Sequence, residues 1–176
     1  SRDTSNNNIM SIVNSTSGFN YGCTTVEVDR SNTSVGAAIT SFIDPALANR
    51  ILSKTFYVDP TNDTASGNFT ISLYFTEAEI AAWESATGNL RSQLRMFKVK
   101  DAAISSVTYA NFTDYVIEEV PDSISAFGSD VVIQATFNSE MRGGYAVGAS
   151  NGINCGDFAN TWNGSTWSNG SPLKNT

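Results

Sequence analysis

Residues Asn68–Gly88 read NFTISLYFTEAEIAAWESATG. From Phe69 to Phe75 the residues alternate, with Phe69, Ile71, Leu73 and Phe75 on one face and Thr70, Ser72 and Tyr74 on the other. This is the period of a strand with one buried face. At Thr76 the period changes. Thr76 and Glu79 have the spacing of a capping box, in which each side chain satisfies the other's backbone N–H. Glu77 and Glu79 also place negative charge at the positive end of a helix dipole. Ile80, Trp83 and Leu90 then recur at roughly helical spacing, and Gly88 supplies the stop. The stretch predicts a strand followed by one short helix, around residues 76–88.

Outward from this stretch the chain reads as strands. Ile9–Val13 is a possible first edge strand, and Thr24–Asp29 alternates with Val26 and Val28 inward. Residues 31–49 are small and polar, weakly helical near Pro45–Ala48, and read as a long connection. Lys54–Val58 enters the turn DPTNDTASG. Gln93–Lys100 does not alternate, so it is expected to be covered on both faces or bulged. Tyr115–Val120, closed by Pro121, is a possible edge strand. Asp130–Asn138 alternates cleanly, and Gly143–Gly148 closes the series. The expectation is an all-β, two-sheet, immunoglobulin-like sandwich of about seven strands with one helix. Residues 1–20 form a lead-in with a possible edge strand, and 21–150 form the sandwich. Residues 151–176, rich in Asn, Gly, Ser and Trp, read as a linker or the start of a further unit.

Composition narrows function mainly by exclusion. The net charge is −7, from 10 basic and 17 acidic residues. Scattered cations in an acidic chain are not the footprint of a nucleic-acid binder, nor of a protein drawn to an anionic membrane. No apolar run is long enough to span a bilayer. The polar start SRDTSNNN carries no signal peptide, which fits a cytosolic chain or an excised piece of an exported one; export is the expectation. Histidine is absent. That removes the usual general base at neutral pH, the Ser–His and Cys–His pairs, and histidine-ligated zinc. No catalytic residue and no cofactor is expected. Cys23 and Cys155 are the only cysteines. Bridged, they would close nearly the whole domain, worth about 4–5 kcal/mol on the loop-entropy model; unbridged, they are two buried thiols.

Three segments in order, YGCTTVEVDR (21–30), KTFYVDPTNDTASGNFTISLYFTEAEIAAWESATG (54–88) and GGYAVG (143–148), resemble a β-sandwich module of large secreted and surface proteins. The bacteria concerned use the type nine secretion system. There the module follows a catalytic region or adjoins adhesion-type repeats, and TWNGSTWSNGSP looks like the opening of the next unit. One departure is Met141-Arg142, where a Phe-Ser or similar pair is usual. The resemblance implies a secreted or surface location and says nothing of a ligand.

Further candidates are each weighed against a simpler role. Thr4, Thr64 and Ser123 follow Asp and resemble the Asp-Ser/Thr pattern that such bacteria O-glycosylate; the simpler role is an Asx-type turn. Asp59, Asn62 and Asp63 place hard oxygen ligands in one loop, as calcium prefers, though without EF-hand spacing. Trp162 and Trp167 could stack on sugar rings or pack the tail against a neighbour. The leading expectation is a non-catalytic structural, adhesion or assembly module whose partners are neighbouring modules or copies of itself. The alternative is a carbohydrate-binding accessory domain of a secreted hydrolase, with glycans as partners.

Overall fold

The computed structural model describes residues 1–2, 7–30, 51–106 and 116–149. Nine strands lie among them: β1 (Met10–Asn14), β2 (Thr24–Arg30), β3 (Lys54–Pro60), β4 (Asn68–Thr76), β5 (Leu94–Lys100), β6 (Val116–Glu119), β7 (Ser123–Phe127), β8 (Asp130–Asn138) and β9 (Gly143–Ala149). One helix, α1 (Glu77–Thr87), follows β4 directly. All pairing is antiparallel, in a four-stranded sheet β1-β4-β8-β7 and a five-stranded sheet β2-β3-β9-β5-β6. From β4 onward the chain crosses between sheets after each hairpin, which gives the Greek-key wiring of an immunoglobulin-like sandwich.

The alternation in β4 is carried through as expected. Phe69, Ile71, Leu73 and Phe75 are buried against Val131, Ile133, Ala135 and Phe137 of β8 and against Phe56, Tyr145 and Val147 of the opposite sheet. Such aromatic side chains remove large apolar areas from water, the main favourable term in folding. The helix is capped as read: Thr76 and Glu79 form both bonds of the capping box, and Gly88 closes it at φ 71°. Ile80 and Trp83 are buried in the main core.

Strand number corrects the expectation of about seven. The strand absent from the sequence reading is β7, whose pattern is small and polar: Ser123 and Ser125 face out and only Ile124 packs on the core. It is held by a two-residue hairpin at Gly128-Ser129, with Phe127 opposite Asp130 and Gly128 at φ 63°. That is the glycine-led hairpin signal, and it was present in the sequence. The possible edge strand read at Ile9–Val13 is present as β1: it pairs along β4 at the edge of the four-stranded sheet, and Met10 is buried.

β5 is covered on both faces. Leu94 and Met96 face the main core, while Phe97 and Val99 join Ile51, Ile104 and Ala146 in a second cluster on the outer side. A short 3-10 turn, Ile104–Ser106, supplies this outer cover. It explains the second glycine of GGYAVG. A Cβ on Gly144 would stand 2.6 Å from the Ala102 carbonyl oxygen and 2.7 Å from Ile104 N. The missing side chain lets a third layer lie on the sheet.

Candidate functional site

Polar groups converge at the two ends of the sandwich. At the helix end, the cap is also the centre of a buried ion network. Glu79 N donates to Thr76 Oγ1 at 3.1 Å, and Thr76 N donates to Glu79 Oε2 at 2.8 Å. The same carboxylate, 2 % exposed, receives Arg30 at 2.7 Å and Lys54 at 3.3 Å. Lys54 Nζ also donates to the Tyr74 carbonyl at 2.7 Å and lies 4.8 Å over the Phe75 ring. Three elements are thereby joined: β2 through Arg30, β3 through Lys54 and α1 through Glu79.

Burial lowers the pKa of Lys54, and the Glu79 charge opposes that shift. For Glu79, burial alone would raise the pKa. The charge of Lys54, the Thr76 N–H and Arg30 outweigh it and hold the carboxyl below its ordinary range. A cavity of about 640 Å³ opens beside the network, lined among others by Ile9, Val28, Arg30, Lys54 and Asp130. The network's charges are spent on one another, as buried ions require. Its evident product is a fixed joint between both sheets and the helix.

At the opposite end the DPTNDTASG turn is tied down by its own acids. Asp63 accepts the backbone N–H groups of Met141 at 2.8 Å and Arg142 at 2.7 Å, as well as that of Thr64. Asp59 pairs with Arg142 at 2.7 Å, and Asn62 Nδ2 donates to the Asn20 carbonyl. The three oxygen-bearing residues read as calcium candidates thus each have a protein partner. Among the described residues no three His, Cys, Asp or Glu side chains gather into a metal-binding group. The Met141-Arg142 pair serves this joint through its backbone and the Arg142 guanidinium. Beneath it, fully buried Lys98 reaches Glu140 at 3.1 Å, and Lys100 reaches the same carboxylate at 3.2 Å. Tyr145 OH closes the corner by donating to the Met141 carbonyl at 2.6 Å.

The other candidates are scattered. Thr64 lines an open cleft of about 600 Å³ with Lys100, Asp101 and Arg142. Ser123 lies on β7, and its hydroxyl donates to Gln134 Oε1 at 2.8 Å. Cys23 is exposed, which corrects the reading of a buried thiol there, and it forms no disulfide among the described residues. Cys155, Thr4, Trp162 and Trp167 lie outside the described residues, as do the connection at 31–49 and the tail at 151–176. Both ion networks escaped the sequence reading. Their local trace is a lysine at a strand position that turns out to be buried, Lys54 at the start of KTFYV and Lys98 within LRMFKVK. Among the described residues no helix is long and apolar enough to cross a membrane. Comparison of the chain with protein-family models, with curated proteins and with solved structures returns no match.

Proposed function

We propose that this chain is a non-catalytic structural module of an exported bacterial surface protein, serving spacing or assembly. One observation carries the reading. At each end of the sandwich charges converge on a carboxylate that pairs with one buried and one half-exposed cation, Lys54 and Arg30 on Glu79 at one end and Lys98 and Lys100 on Glu140 at the other. Catalytic carboxylates work by keeping an unspent proton or lone pair aimed at substrate. These are engaged with ammonium, guanidinium and backbone N–H groups, an arrangement that stiffens a body and leaves its surface free to meet neighbours. The resemblance of the three segments to a module of type nine secretion proteins supports the surface location. A Cys23–Cys155 bridge and O-linked sugar on Thr4, Thr64 or Ser123 belong to the same proposal.

Antibody against the chain, applied to intact cells of the bacterium that encodes it, tests the location. Labelling without permeabilisation is expected, and labelling only after lysis overturns the reading. Intact mass under non-reducing conditions reads the bridge and the sugars together. A glycan array on which binding disappears in Trp162→Ala or Trp167→Ala would replace the structural role with the carbohydrate-binding one.

A further inference from the structure

The flank of the sandwich between β1 and β2 is open. Among the described residues β2 pairs only with β3 and leaves a free edge, whereas β1 pairs with β4 and is met at its start by the chain's own N-terminus, with Ser1 N donating to the Met10 carbonyl and Ile9 N to the Ser1 carbonyl. Three cavities of about 310, 350 and 640 Å³ follow one another along this flank. Thr24 and Ile12 line both of the first two, and Val26, Met10 and the N-terminal Ser1 join them in the second. Val28, Arg30 and Ile9 continue the walls in the third. One wall is therefore every second residue of β2, in order, and the other is the inward row of β1. The floor is apolar in the first two cavities, because Met10 belongs to the main core and Ile12 and Val26 pack on it, and it turns polar in the third, where Lys54, Glu79 and Asp130 take part. Val28 is 38 % exposed within the groove. The other row of β2, Thr25, Glu27 and Asp29, is exposed and faces outward.

A groove with period-two walls beside an unpaired strand edge has the shape of a missing strand. We propose that it docks an extended segment of a second polypeptide, about seven residues long to match β2, in which apolar residues alternate with Lys or Arg. Its backbone adds to the β2 edge, its apolar side chains enter the groove beside Val26 and Val28, and its cations lie beside Glu27 and Asp29. The charge on this edge selects the partner. Antiparallel pairing of β2 with a second copy of itself would bring both Glu27 and Asp29 rows onto one face, and like charges across strands repel. A basic partner turns the same row from a barrier into an attraction. The proposal rests on reading the chain as an assembly module and names the chemistry of what it assembles with.

The test uses the full chain and an acetylated, amidated peptide, Lys-Val-Lys-Val-Lys-Val-Lys. Controls are a scrambled peptide of the same composition and the Glu-for-Lys version. Saturable binding of the alternating peptide is expected, with hydrogen-exchange protection gained at β2 amides and not at β6. In Glu27→Lys/Asp29→Lys, two exposed positions, affinity for the basic peptide should drop by about tenfold or more, and the acidic version should bind instead. The proposal is overturned if the scrambled peptide binds equally. It is also overturned if β2 gains no protection, or if β2 amides in the free chain are already as protected as those of β3. Surface labelling is independent of this result. Failed peptide binding with intact labelling removes the docking site alone; failed labelling removes the module reading and leaves the groove.

Discussion

Lys54 Nζ lies 3.3 Å from Glu79 Oε2, so the residue that caps the helix also neutralises the cation buried at the start of β3. A capping glutamate needs only to reach back to the N-cap N–H. Here it is buried and binds two cations as well, which converts a local stop–start signal into a tertiary joint. Removing one partner of such a group leaves the other charged and desolvated.

Glu79→Gln should therefore cost about 3 kcal/mol of stability, read as a lower urea midpoint. The amide oxygen can still accept the Thr76 N–H, so loss of the cap is the smaller part. Adding Lys54→Met removes the stranded ammonium, and the pair should show a coupling of about 0.5–3 kcal/mol in a double-mutant cycle. Strict additivity of the two substitutions would show that the contact carries no energy of its own.

The same network dictates a pH dependence. Glu140 resembles Glu79: burial acts to raise its pKa, while its own backbone N–H, Lys98 and Lys100 hold it below the ordinary 4.5. A carboxyl depressed in the folded state stabilises fully above pH 4.5, and that stability drains as pH falls toward the folded value. Lys54 and Lys98 are lowered from 10.5, first by burial. Between their folded values and 10.5 the unfolded chain holds more protons, so stability rises with pH there. Urea midpoints taken from about pH 3 to about pH 9 should climb in both limbs; nearer pH 10 Tyr57 and Tyr145, which keep their protons longer in the folded chain, act in the opposite direction. Glu79→Gln/Glu140→Gln should flatten the acid limb and, by lowering the Lys54 and Lys98 pKa values further, start the alkaline rise at a lower pH.

Legibility tracks how local the determining physics is. The β4–α1 junction could be read residue by residue because alternation, cap and stop all lie within neighbouring positions. The two-sided burial of β5 was also readable, since LRMFKVK does not alternate. β7 was missed because Ser123 and Ser125 offer no apolar face, and its strand state comes from pairing with β8. The ion networks were missed for a stronger reason. Arg30 and Glu79 are 49 residues apart in sequence, and Lys98 and Glu140 are 42 apart. No spacing rule predicts which scattered charges a sandwich will bury together. The DPTNDTASG acids were readable as a cluster of oxygens, but their use as acceptors for the 141–142 backbone depended on where β8 ends.

Gly144→Ala tests the third layer. The added methyl would press on backbone atoms of Ala102 and Ile104, which cannot rotate away as a side-chain tip can. Overpacking of this kind costs about 1–3 kcal/mol, and lifting the 3-10 turn would also uncover Phe97 and Val99. Gly88→Ala and Gly128→Ala provide the contrast. Both glycines have positive φ with nothing within 4 Å of the new Cβ, so each should pay only the backbone cost, about 1–2 kcal/mol. Thermal unfolding should rank Gly144→Ala as the most damaging, with loss of protection at the outer residues of β5.

The second joint makes a prediction whose sign depends on which partner is removed. Lys98 has no exposed surface, whereas Glu140 keeps 13 % exposure and a second cation in Lys100. Lys98→Met replaces the ammonium with an apolar tip of similar reach and leaves Glu140 paired with Lys100. The desolvation cost of burying the ammonium disappears, so stability should hold or rise by about 1 kcal/mol or more. Glu140→Gln does the opposite. It leaves Lys98 charged, buried and without its counterion, and should cost about 3 kcal/mol. Burial already lowers the Lys98 pKa, and losing the Glu140 charge and hydrogen bond should lower it further. The loss in Glu140→Gln should therefore shrink as pH rises and Lys98 gives up its proton, while Lys98→Met should lose the alkaline dependence tied to that residue. Paired urea titrations at neutral and alkaline pH separate the two cases, and an equal loss in both variants would rule out the asymmetry.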